Sequence, residues 1–161
     1  SIGKRTGNKR MKEYFYSPVG KICIEAEEDA ITALYLEDWP VKNDGPDHPL
    51  LRKAGKELEE YFAGKRKNFD LPLKPAGTEF QKAVWKALRE IPYGETRCYL
   101  DIAKAVANPK ACRAVGGANH QNPIMIFIPC HRVIGKDGSL TGFGGGIAVK
   151  WALLELERKY R

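Results

Sequence analysis

Hydrophobic and polar positions alternate in three short segments near the start of the chain, at residues 12–17, 21–26 and 30–36. Alternation with a period of two predicts strands with one buried face, and the Ser-Pro-Val-Gly turn signal at 17–20 predicts a hairpin. A break at 43–46 is followed by a 3.6-residue period over 49–62, with Gly64 after it. This order predicts a three-stranded sheet with one helix over residues 11–63.

The second half of the chain has a helical pattern throughout. Residues 64–77, rich in Lys, Pro and Gly, are predicted to be a linker. Thr78 with Gln81 fits a capping box and predicts a helix that ends before residue 92. A second helix is expected over about 96–107, and Asn108 followed by Pro109 predicts the start of a third. The short connection indicates a helix-turn-helix, so the predicted fold class is α+β with a C-terminal helical domain over 78–161.

The third predicted helix consists almost entirely of small residues, Ala-Cys-Arg-Ala-Val-Gly-Gly-Ala at 111–118. A helix that identifies bases in the major groove usually offers Asn, Gln, Arg and Lys side chains. Two interpretations stay open. The helix packs tightly inside the protein, or it approaches a nucleic-acid groove closely, with Arg113 filling a gap in the base stack.

Charge is distributed unevenly along the 161-residue chain, whose net charge is +7. Residues 1–10 hold four basic and no acidic groups, and we interpret them as a tag or a disordered arm. Residues 11–77 carry a balance of −3 and residues 78–161 a balance of +6. A basic second half favours an anionic partner such as nucleic acid. No apolar stretch has the length to span a membrane, so we expect no membrane partner.

Four cysteines, at positions 23, 98, 112 and 130, have no CxxC motif and no regular spacing. This pattern argues against a disulfide scaffold or a zinc finger, so we predict no metal and a reducing, cytoplasmic location. Cys130 stands beside His131, after a proline and an apolar run at 124–128 that predicts a buried strand or extended segment. A neighbouring base makes a thiol into the nucleophilic thiolate. The alternative is a buried apolar cysteine beside a surface histidine.

Residues 78–160 resemble the C-terminal domain of the O6-alkylguanine-DNA alkyltransferases, also called methylated-DNA–protein-cysteine methyltransferases. The resemblance lies in the order and spacing of Thr-Glu-Phe-Gln-Lys-Ala-Val-Trp at 78–85, Ile-Pro-Tyr-Gly-Glu-Thr at 91–96, Arg-Ala-Val-Gly at 113–116, Asn-Pro at 122–123, Pro-Cys-His-Arg-Val at 129–133 and Leu-Leu-Glu-Leu-Glu at 153–157. Residues 11–63 resemble the family's ribonuclease-H-like N-terminal lobe in layout.

The resemblance implies a suicide DNA-repair protein that needs no cofactor. It would transfer an alkyl group from O6 of guanine in double-stranded DNA to Cys130, once, and the sulfur is expected to be held ionised. His131 would be the base, acting through a water because sequence neighbours point in different directions. Glu157 would orient His131 and stabilise its cation. Asn122 would orient Cys130, and Tyr99 would donate its hydroxyl to the flipped base.

The resemblance also implies a DNA surface and a substrate pocket. Arg113 would replace the flipped nucleotide in the stack, a step that contributes selectivity for damaged pairs. The other DNA-binding residues would be Thr96, Ala111, Ala114 and Gly117. Val133, Phe143, Gly144 and Tyr99 would line the pocket, with Phe143 where many members carry Tyr. Arg132 would hold the two lobes together by ion pairing.

Two alternatives remain at this stage. A non-catalytic binder of alkylated DNA resembles the same family but lacks the reactive cysteine, which this chain has. A cysteine hydrolase using Cys130 and His131 would need an oxyanion hole and would turn over repeatedly. We expect the protein to be a monomer and to associate with the nucleoid, or to be nuclear if its source is eukaryotic.

Overall fold

The computed structural model describes residues 11–38, 47–140 and 143–161. The chain divides into two compact units, one ending at Pro75 and the other beginning at Ala76. The predictions made for residues 1–10 and for the break at 43–46 lie outside the described residues. No helix in the described part of the chain is both long and apolar enough to cross a membrane.

The N-terminal unit contains an antiparallel sheet of three strands, β1 (Met11–Ser17), β2 (Gly20–Ala26) and β3 (Ile31–Leu36). The strands are paired in sequence order, and Ser17 lies opposite Gly20 across the first turn. Gly20 has a φ of 126°, a conformation that a residue with a Cβ rarely adopts. The three predicted strands are therefore confirmed, to within one residue at their ends.

One helix packs on this sheet, α1 (Pro49–Phe62). His48 caps its N-terminus, because the ring Nδ1 accepts hydrogen bonds from the backbone N–H groups of Leu50 (3.2 Å) and Leu51 (3.4 Å). A Cβ at Gly55 would overlap the Phe15 ring, so glycine lets helix and sheet approach closely. The predicted helix is confirmed, and Gly64, at a φ of 77°, follows its end.

Part of the segment predicted to be a linker is hydrogen-bonded to the N-terminal sheet. The N–H of Ile31 donates to the carbonyl of Pro72, and the N–H of Lys74 donates to the carbonyl of Ile31, both at 2.8 Å. Leu73 thus extends the sheet beside β3 in a parallel bridge. These hydrogen bonds hold the 72–74 part of the predicted linker at the edge of the N-terminal sheet.

The C-terminal unit begins with α2 (Glu79–Arg89), and its predicted capping box is present. The Gln81 N–H donates to the Thr78 hydroxyl (3.1 Å), and the Thr78 N–H donates to the Gln81 side chain (2.9 Å). Next come β4 (Arg97–Cys98), α3 (Tyr99–Ala105) and α4 (Cys112–His120), which confirm a helical domain with a helix-turn-helix. The Trp85 indole donates to the carbonyl of Ala118 (2.8 Å) and so joins α2 to α4.

Two predicted helix starts in this unit are wrong. The second helix begins at Tyr99 and not near Thr96, because Arg97 and Cys98 form β4, which pairs in parallel with β5 (Val133–Ile134). The third helix begins at Cys112. Asn108 and Pro109 start a turn instead, closed by a hydrogen bond from the Ala111 N–H to the Asn108 carbonyl (3.0 Å). Proline fits the second position of such a turn as well as the first turn of a helix.

Candidate active site

The apolar run before Cys130 is buried, as predicted, but it is a tight turn and not a strand. Ile124, Ile126 and Ile128 are each at most 1% exposed. The Ile128 N–H donates to the Ile124 carbonyl (3.0 Å), and the Phe127 N–H to the Met125 carbonyl (2.7 Å). Ile126 has a φ of 71°, which is costly for a β-branched residue. Burial of the whole run holds this strained backbone in place and fixes the start of the Cys130 segment.

Two asparagine side chains hold the backbone on either side of Pro129. The Asn122 Nδ2 donates to the Ile128 carbonyl (2.8 Å), and its Oδ1 accepts from the Ile124 N–H (3.0 Å). The Asn119 Nδ2 donates to the Cys130 carbonyl (3.3 Å), and Asn119 is 1% exposed. The positioning role predicted for Asn122 has support in these contacts. Asn119 was not found from the sequence, because a lone Asn inside a helix gives no signal.

Cys130 is at the start of a 3-10 turn, Cys130–Arg132, and only 2% of it is exposed. Burial raises the pKa of the Cys130 thiol to about 11, although the Asn122 side chain and the charge of Lys150 oppose this rise. The resting sulfur is therefore protonated at neutral pH. This result corrects the expectation that the sulfur is held ionised, and it means that a base has to act during the reaction.

His131 and Glu157 form the pair that the resemblance implied. The His131 Nε2 is 2.6 Å from the Glu157 Oε2, and both side chains are at most 1% exposed. Burial lowers the pKa of His131 despite the nearby carboxylate, so the imidazole is neutral at rest. With its Nε2 proton donated to Glu157, the ring keeps a lone pair on Nδ1. That buried Nδ1 has no hydrogen-bond partner among the described residues and can accept a proton.

Glu157 is also the partner of Arg132. The Arg132 Nε donates to Glu157 Oε1 (2.8 Å), Nη2 to Glu157 Oε2 (3.0 Å) and Nη1 to the Ile91 carbonyl (2.8 Å). The Gly94 N–H adds a further hydrogen bond to Glu157 (3.2 Å). Burial alone would raise the pKa of Glu157, but His131 and Arg132 hold it well below its usual range. Arg132 thus neutralises a carboxylate within the C-terminal unit, and the inter-lobe role that the resemblance implied stays a prediction.

The helix that carries Glu157, α5 (Ile147–Tyr160), has a charged inner face. Its buried residues are Lys150, Leu153 and Glu157, whereas Ile147 and Trp151 are 58% and 57% exposed. Charged groups are seldom buried without partners, and here Glu157 has three residues donating to it. The sequence pattern alone would place Lys150 in solvent, so its burial was not predicted.

The residues predicted to line the pocket lie on segments that meet in the C-terminal unit. Phe143 is buried, and a Cβ on Gly145 would lie 2.7 Å from both the Phe143 ring and the Met125 side chain. A Cβ on Gly144 would approach the carbonyl of His120 to 3.3 Å. The glycine loop therefore packs against the end of α4 and the turn at 124–128. Val133 is fully buried, and its N–H donates to the Cys130 carbonyl.

The exposed face of α4 carries the predicted DNA-binding residues. Arg113, Ala114 and Gly117 are exposed, whereas Val115, Ala118 and Asn119 point into the unit. Ala111 precedes the helix, and Thr96 is exposed in the loop before β4. On the inner side, a Cβ added at Gly116 would lie 3.8 Å from the Tyr99 ring, which is an ordinary van der Waals contact. The inner face therefore packs inside the unit, and the approach of nucleic acid to the exposed face stays a prediction.

Substituting Gly117 by Ala separates DNA contact from helix stability. A Cβ at Gly117 would meet nothing within 4 Å, so the change should raise the free energy of unfolding by about 0.5–1 kcal/mol. The same methyl group should weaken duplex binding roughly fivefold, about 1 kcal/mol, if DNA lies against this face. Denaturant titration and fluorescence anisotropy measure the two effects. Unchanged DNA affinity would contradict a close approach of the duplex to this face of α4.

Within residues 11–38, 47–140 and 143–161, no group of three or more His, Cys, Asp or Glu side chains could hold a metal ion. The four cysteines are free thiols. The Cys130 site offers a buried thiol, a neutral imidazole with a lone pair on Nδ1, and a carboxylate that can stabilise an imidazolium.

Two family models cover most of the chain. The 6-O-methylguanine DNA methyltransferase ribonuclease-like domain matches residues 11–75, and the DNA binding domain of the same family matches residues 79–159.

Individual proteins agree with these matches. The chain is 51% identical over 148 residues to a methylated-DNA–protein-cysteine methyltransferase of Methanosarcina acetivorans, covering 89% of this chain and 95% of that protein. It is 52% identical over 151 residues to the constitutive methylated-DNA–protein-cysteine methyltransferase of Bacillus subtilis, covering 88% and 92%. The crystal structure of Mycobacterium tuberculosis O6-methylguanine methyltransferase superposes with a TM-score of 0.86 at 44% identity, covering 95% of each chain. A complex of the Mycobacterium tuberculosis protein with DNA gives 0.85 at 46% identity, covering 92% and 93%.

Proposed function

The chain belongs to the 6-O-methylguanine DNA methyltransferase family, and from this premise we infer that it repairs DNA by moving an alkyl group from O6 of guanine to Cys130. The observation that carries this proposal is the arrangement of the buried Cys130 thiol with the His131–Glu157 pair next to it. A non-catalytic binder would have no use for this nucleophile and base.

The transfer is an in-line displacement at an sp3 carbon. The Cys130 sulfur forms a bond to the alkyl carbon, and the bond from that carbon to O6 of guanine breaks. His131 accepts the thiol proton at Nδ1, and Glu157 stabilises the resulting imidazolium. Guanine leaves with the bonding electrons and regains a proton, with the Tyr99 hydroxyl proposed as its hydrogen-bond donor. The product S-alkylcysteine has no route back to a thiol here, so each molecule reacts once.

His131 reaches the Cys130 thiol through a water molecule in this proposal. The imidazole turns toward Glu157, and its buried Nδ1 is the acceptor available for such a water. A buried water needs two or more polar partners, and the thiol and Nδ1 provide them. This arrangement also agrees with the protonated resting state of Cys130, because the base acts only when the alkyl carbon is in place.

DNA binds, in this proposal, across the exposed face of α4. Arg113 is the long cation on that face, and the small Ala114 and Gly117 beside it let a duplex approach the backbone. Because the thiol is only 2% exposed, the target nucleotide has to leave the helix to reach it. Arg113 then occupies the space in the base stack.

Replacing Arg113 by Ala should slow repair of duplex DNA about a hundredfold, because flipping costs a few kcal/mol that the side chain helps to offset. Reaction with free O6-alkylguanine should change less than about twofold, since no base has to be flipped. Single-turnover rates for the two substrates test this pair of effects. Lys110→Ala, an exposed cation just before the same helix, is the matched control. Equal slowing of both substrates would exclude a flipping role for Arg113.

The experiment that tests the proposed function is a stoichiometry measurement with an oligonucleotide carrying labelled O6-methylguanine. The label should move to protein until one methyl is bound per molecule, and then stop. Continued turnover would support a hydrolase, and tight binding without transfer would support a non-catalytic binder.

We also propose that the protein acts as a monomer. One chain contains the thiol, the base, the carboxylate and the exposed α4 face, so one copy holds the groups that the reaction uses. Analytical ultracentrifugation of the free protein and of its complex with a short duplex tests this, and a stable dimer before DNA is added would contradict it.

A cytoplasmic, nucleoid-associated location is proposed as well, or a nuclear one if the source is eukaryotic. The support for it is the DNA partner. Fluorescence microscopy of the tagged protein should show the signal over the chromosome, and a signal at the cell envelope would contradict the proposal.

A further inference from the structure

Asn119 has a buried oxygen atom that the methyl transfer described above does not use. The side chain lies on the inner face of α4 and is 1% exposed. Its Nδ2 donates to the Cys130 carbonyl (3.3 Å), but its Oδ1 has no hydrogen-bond partner in the part of the chain that the structure describes. A buried polar atom without a partner is costly and rare in folded proteins, so this oxygen requires an explanation.

The orientation of the Asn119 amide follows from its neighbour. A carbonyl oxygen only accepts hydrogen bonds, so the group that faces the Cys130 carbonyl is the NH2, and Oδ1 occupies the other branch. The Cys130 carbonyl also accepts from the Val133 N–H, so both of its lone pairs are in use. Of these two oxygen atoms, Oδ1 of Asn119 is therefore the one that can still accept a hydrogen bond.

Two contacts place Asn119 between the reactive segment and the proposed base pocket. Its amide bonds to the backbone of Cys130. The carbonyl of the next residue, His120, lies 3.3 Å from the position of a Cβ added at Gly144. Gly144 belongs to the glycine loop that the family resemblance places in the pocket wall. Asn119 thus lies where a flipped base and the sulfur have to meet, on a helix that holds it in place.

O6-alkylguanine offers one kind of hydrogen-bond donor to such an acceptor. Alkylation at O6 removes the hydrogen from the N1 position of the base, so its ring nitrogens and O6 can only accept. In DNA the N9 position carries the sugar, and the 2-amino group is the N–H donor that remains. Alkylated hypoxanthine and alkylated thymine lack this amine. An acceptor in the pocket therefore distinguishes alkylated guanine from these other bases.

We propose that Asn119 is a specificity-determining residue whose Oδ1 accepts a hydrogen bond from the 2-amino group of the flipped O6-alkylguanine. This inference rests on the proposed function of Cys130. The contact forms no covalent bond and moves no proton. An alkylated base without the amine leaves Oδ1 unpaired in the occupied pocket, and its reaction is slowed for that reason.

The test compares two single-stranded oligonucleotides, one with O6-methylguanine and one with O6-methylhypoxanthine, in which hydrogen replaces the 2-amino group. Single strands are used because loss of the amine also alters base pairing in a duplex. The second-order rate of methyl transfer by wild type should be about 10- to 100-fold lower for O6-methylhypoxanthine, which leaves one buried acceptor unpaired. Asn119→Leu has no oxygen to leave unpaired, so its rates for the two substrates should agree within about threefold.

The ratio of the two rates separates recognition of the amine from a structural role. Asn119→Leu also loses the contact to the Cys130 carbonyl, which slows both substrates alike. Asn122→Ala is the matched control, because it removes an amide that holds the same segment through the Ile128 carbonyl (2.8 Å). It should slow both substrates and keep the wild-type ratio. Asn119→Ala is the second variant, since it removes the same oxygen and needs less space than leucine.

The outcomes also separate this inference from the proposed function. If wild type transfers no methyl from O6-methylguanine, the proposed function fails. If wild type reacts equally fast with both oligonucleotides, or if Asn119→Leu and Asn119→Ala keep the wild-type ratio, the amine does not bind Asn119 and the inference is wrong. Should neither variant fold, the wild-type ratio decides alone, and equal rates overturn the inference.

Discussion

Glu157→Gln is expected to lower the free energy of unfolding by about 3 kcal/mol, because the change leaves the buried Arg132 guanidinium without its counterion. The buried ion pair itself adds only modestly to the free energy of unfolding, because both charges lose their hydration. The loss is large because one buried charge would remain uncompensated. Urea denaturation at neutral pH measures the difference.

Glu155→Gln is the matched control for this prediction. Glu155 lies two residues earlier on the same helix and pairs with the exposed Arg158 (2.9 Å). Loss of that surface pair should cost less than about 1 kcal/mol. The double variant Arg132→Met with Glu157→Gln removes both buried charges and should recover part of the stability. If Glu155→Gln and Glu157→Gln lower the free energy of unfolding by the same small amount, Glu157 does not compensate for a buried charge.

The stability effect of Glu157 should depend on pH in a defined direction. The pKa of Glu157 is held below its ordinary value of 4.5, so its contribution is fully present above that pH. The contribution is lost as pH falls through the lowered pKa of the folded state. The difference between wild type and Glu157→Gln should therefore be constant near neutral pH and shrink only in strong acid.

The same substitution should slow methyl transfer about a hundredfold in folded protein, because Gln cannot stabilise the imidazolium that forms on His131. The rate should be measured well below the unfolding temperature of the variant. A variant with native-like rate would show that His131 is not the base.

Cys130→Ala is expected to abolish methyl transfer completely, since Cys130 is the buried thiol that adjoins the His131–Glu157 pair and is the proposed acceptor. Affinity for a duplex with the lesion should stay within about threefold of wild type, because the sulfur is buried and contributes little contact area. Transfer of labelled methyl and anisotropy with the same oligonucleotide measure both effects.

The matched controls are Cys112→Ala and Cys98→Ala, which alter half-buried thiols on α4 and beside Tyr99. Both variants should keep one methyl transferred per molecule. Residual transfer in Cys130→Ala, lost on removing Cys112, would move the acceptor to α4 and contradict the proposed site.

Elements with local signals could be predicted from the sequence. The capping pair Thr78 and Gln81 fixed the start of α2, and Gly64 marked the end of α1. Asn108 and Pro109 misled the prediction, because a β-turn and a helix N-terminus favour the same residues. The turn at Ile126 could not be predicted, since a positive φ at a β-branched residue exists only where surrounding packing imposes it.

The candidate site was predicted in part, through the family resemblance. It identified Cys130, His131 and Glu157, whose positions follow from motif spacing. The protonated resting thiol and the buried Lys150 were missed, because burial depends on how α5 faces the turn at Cys130. A pattern of hydrophobic positions would instead bury Ile147 and Trp151, which are exposed. Charge networks override hydrophobic periodicity at such a site.

The most direct test of the account is peptide mapping by mass spectrometry after reaction with an excess of O6-methylguanine duplex. The peptide containing Cys130, and no other cysteine peptide, should gain one methyl group in every reacted molecule. A methyl group found on Cys98 or Cys112, or an unmodified Cys130 peptide after the lesion has been repaired, would contradict it.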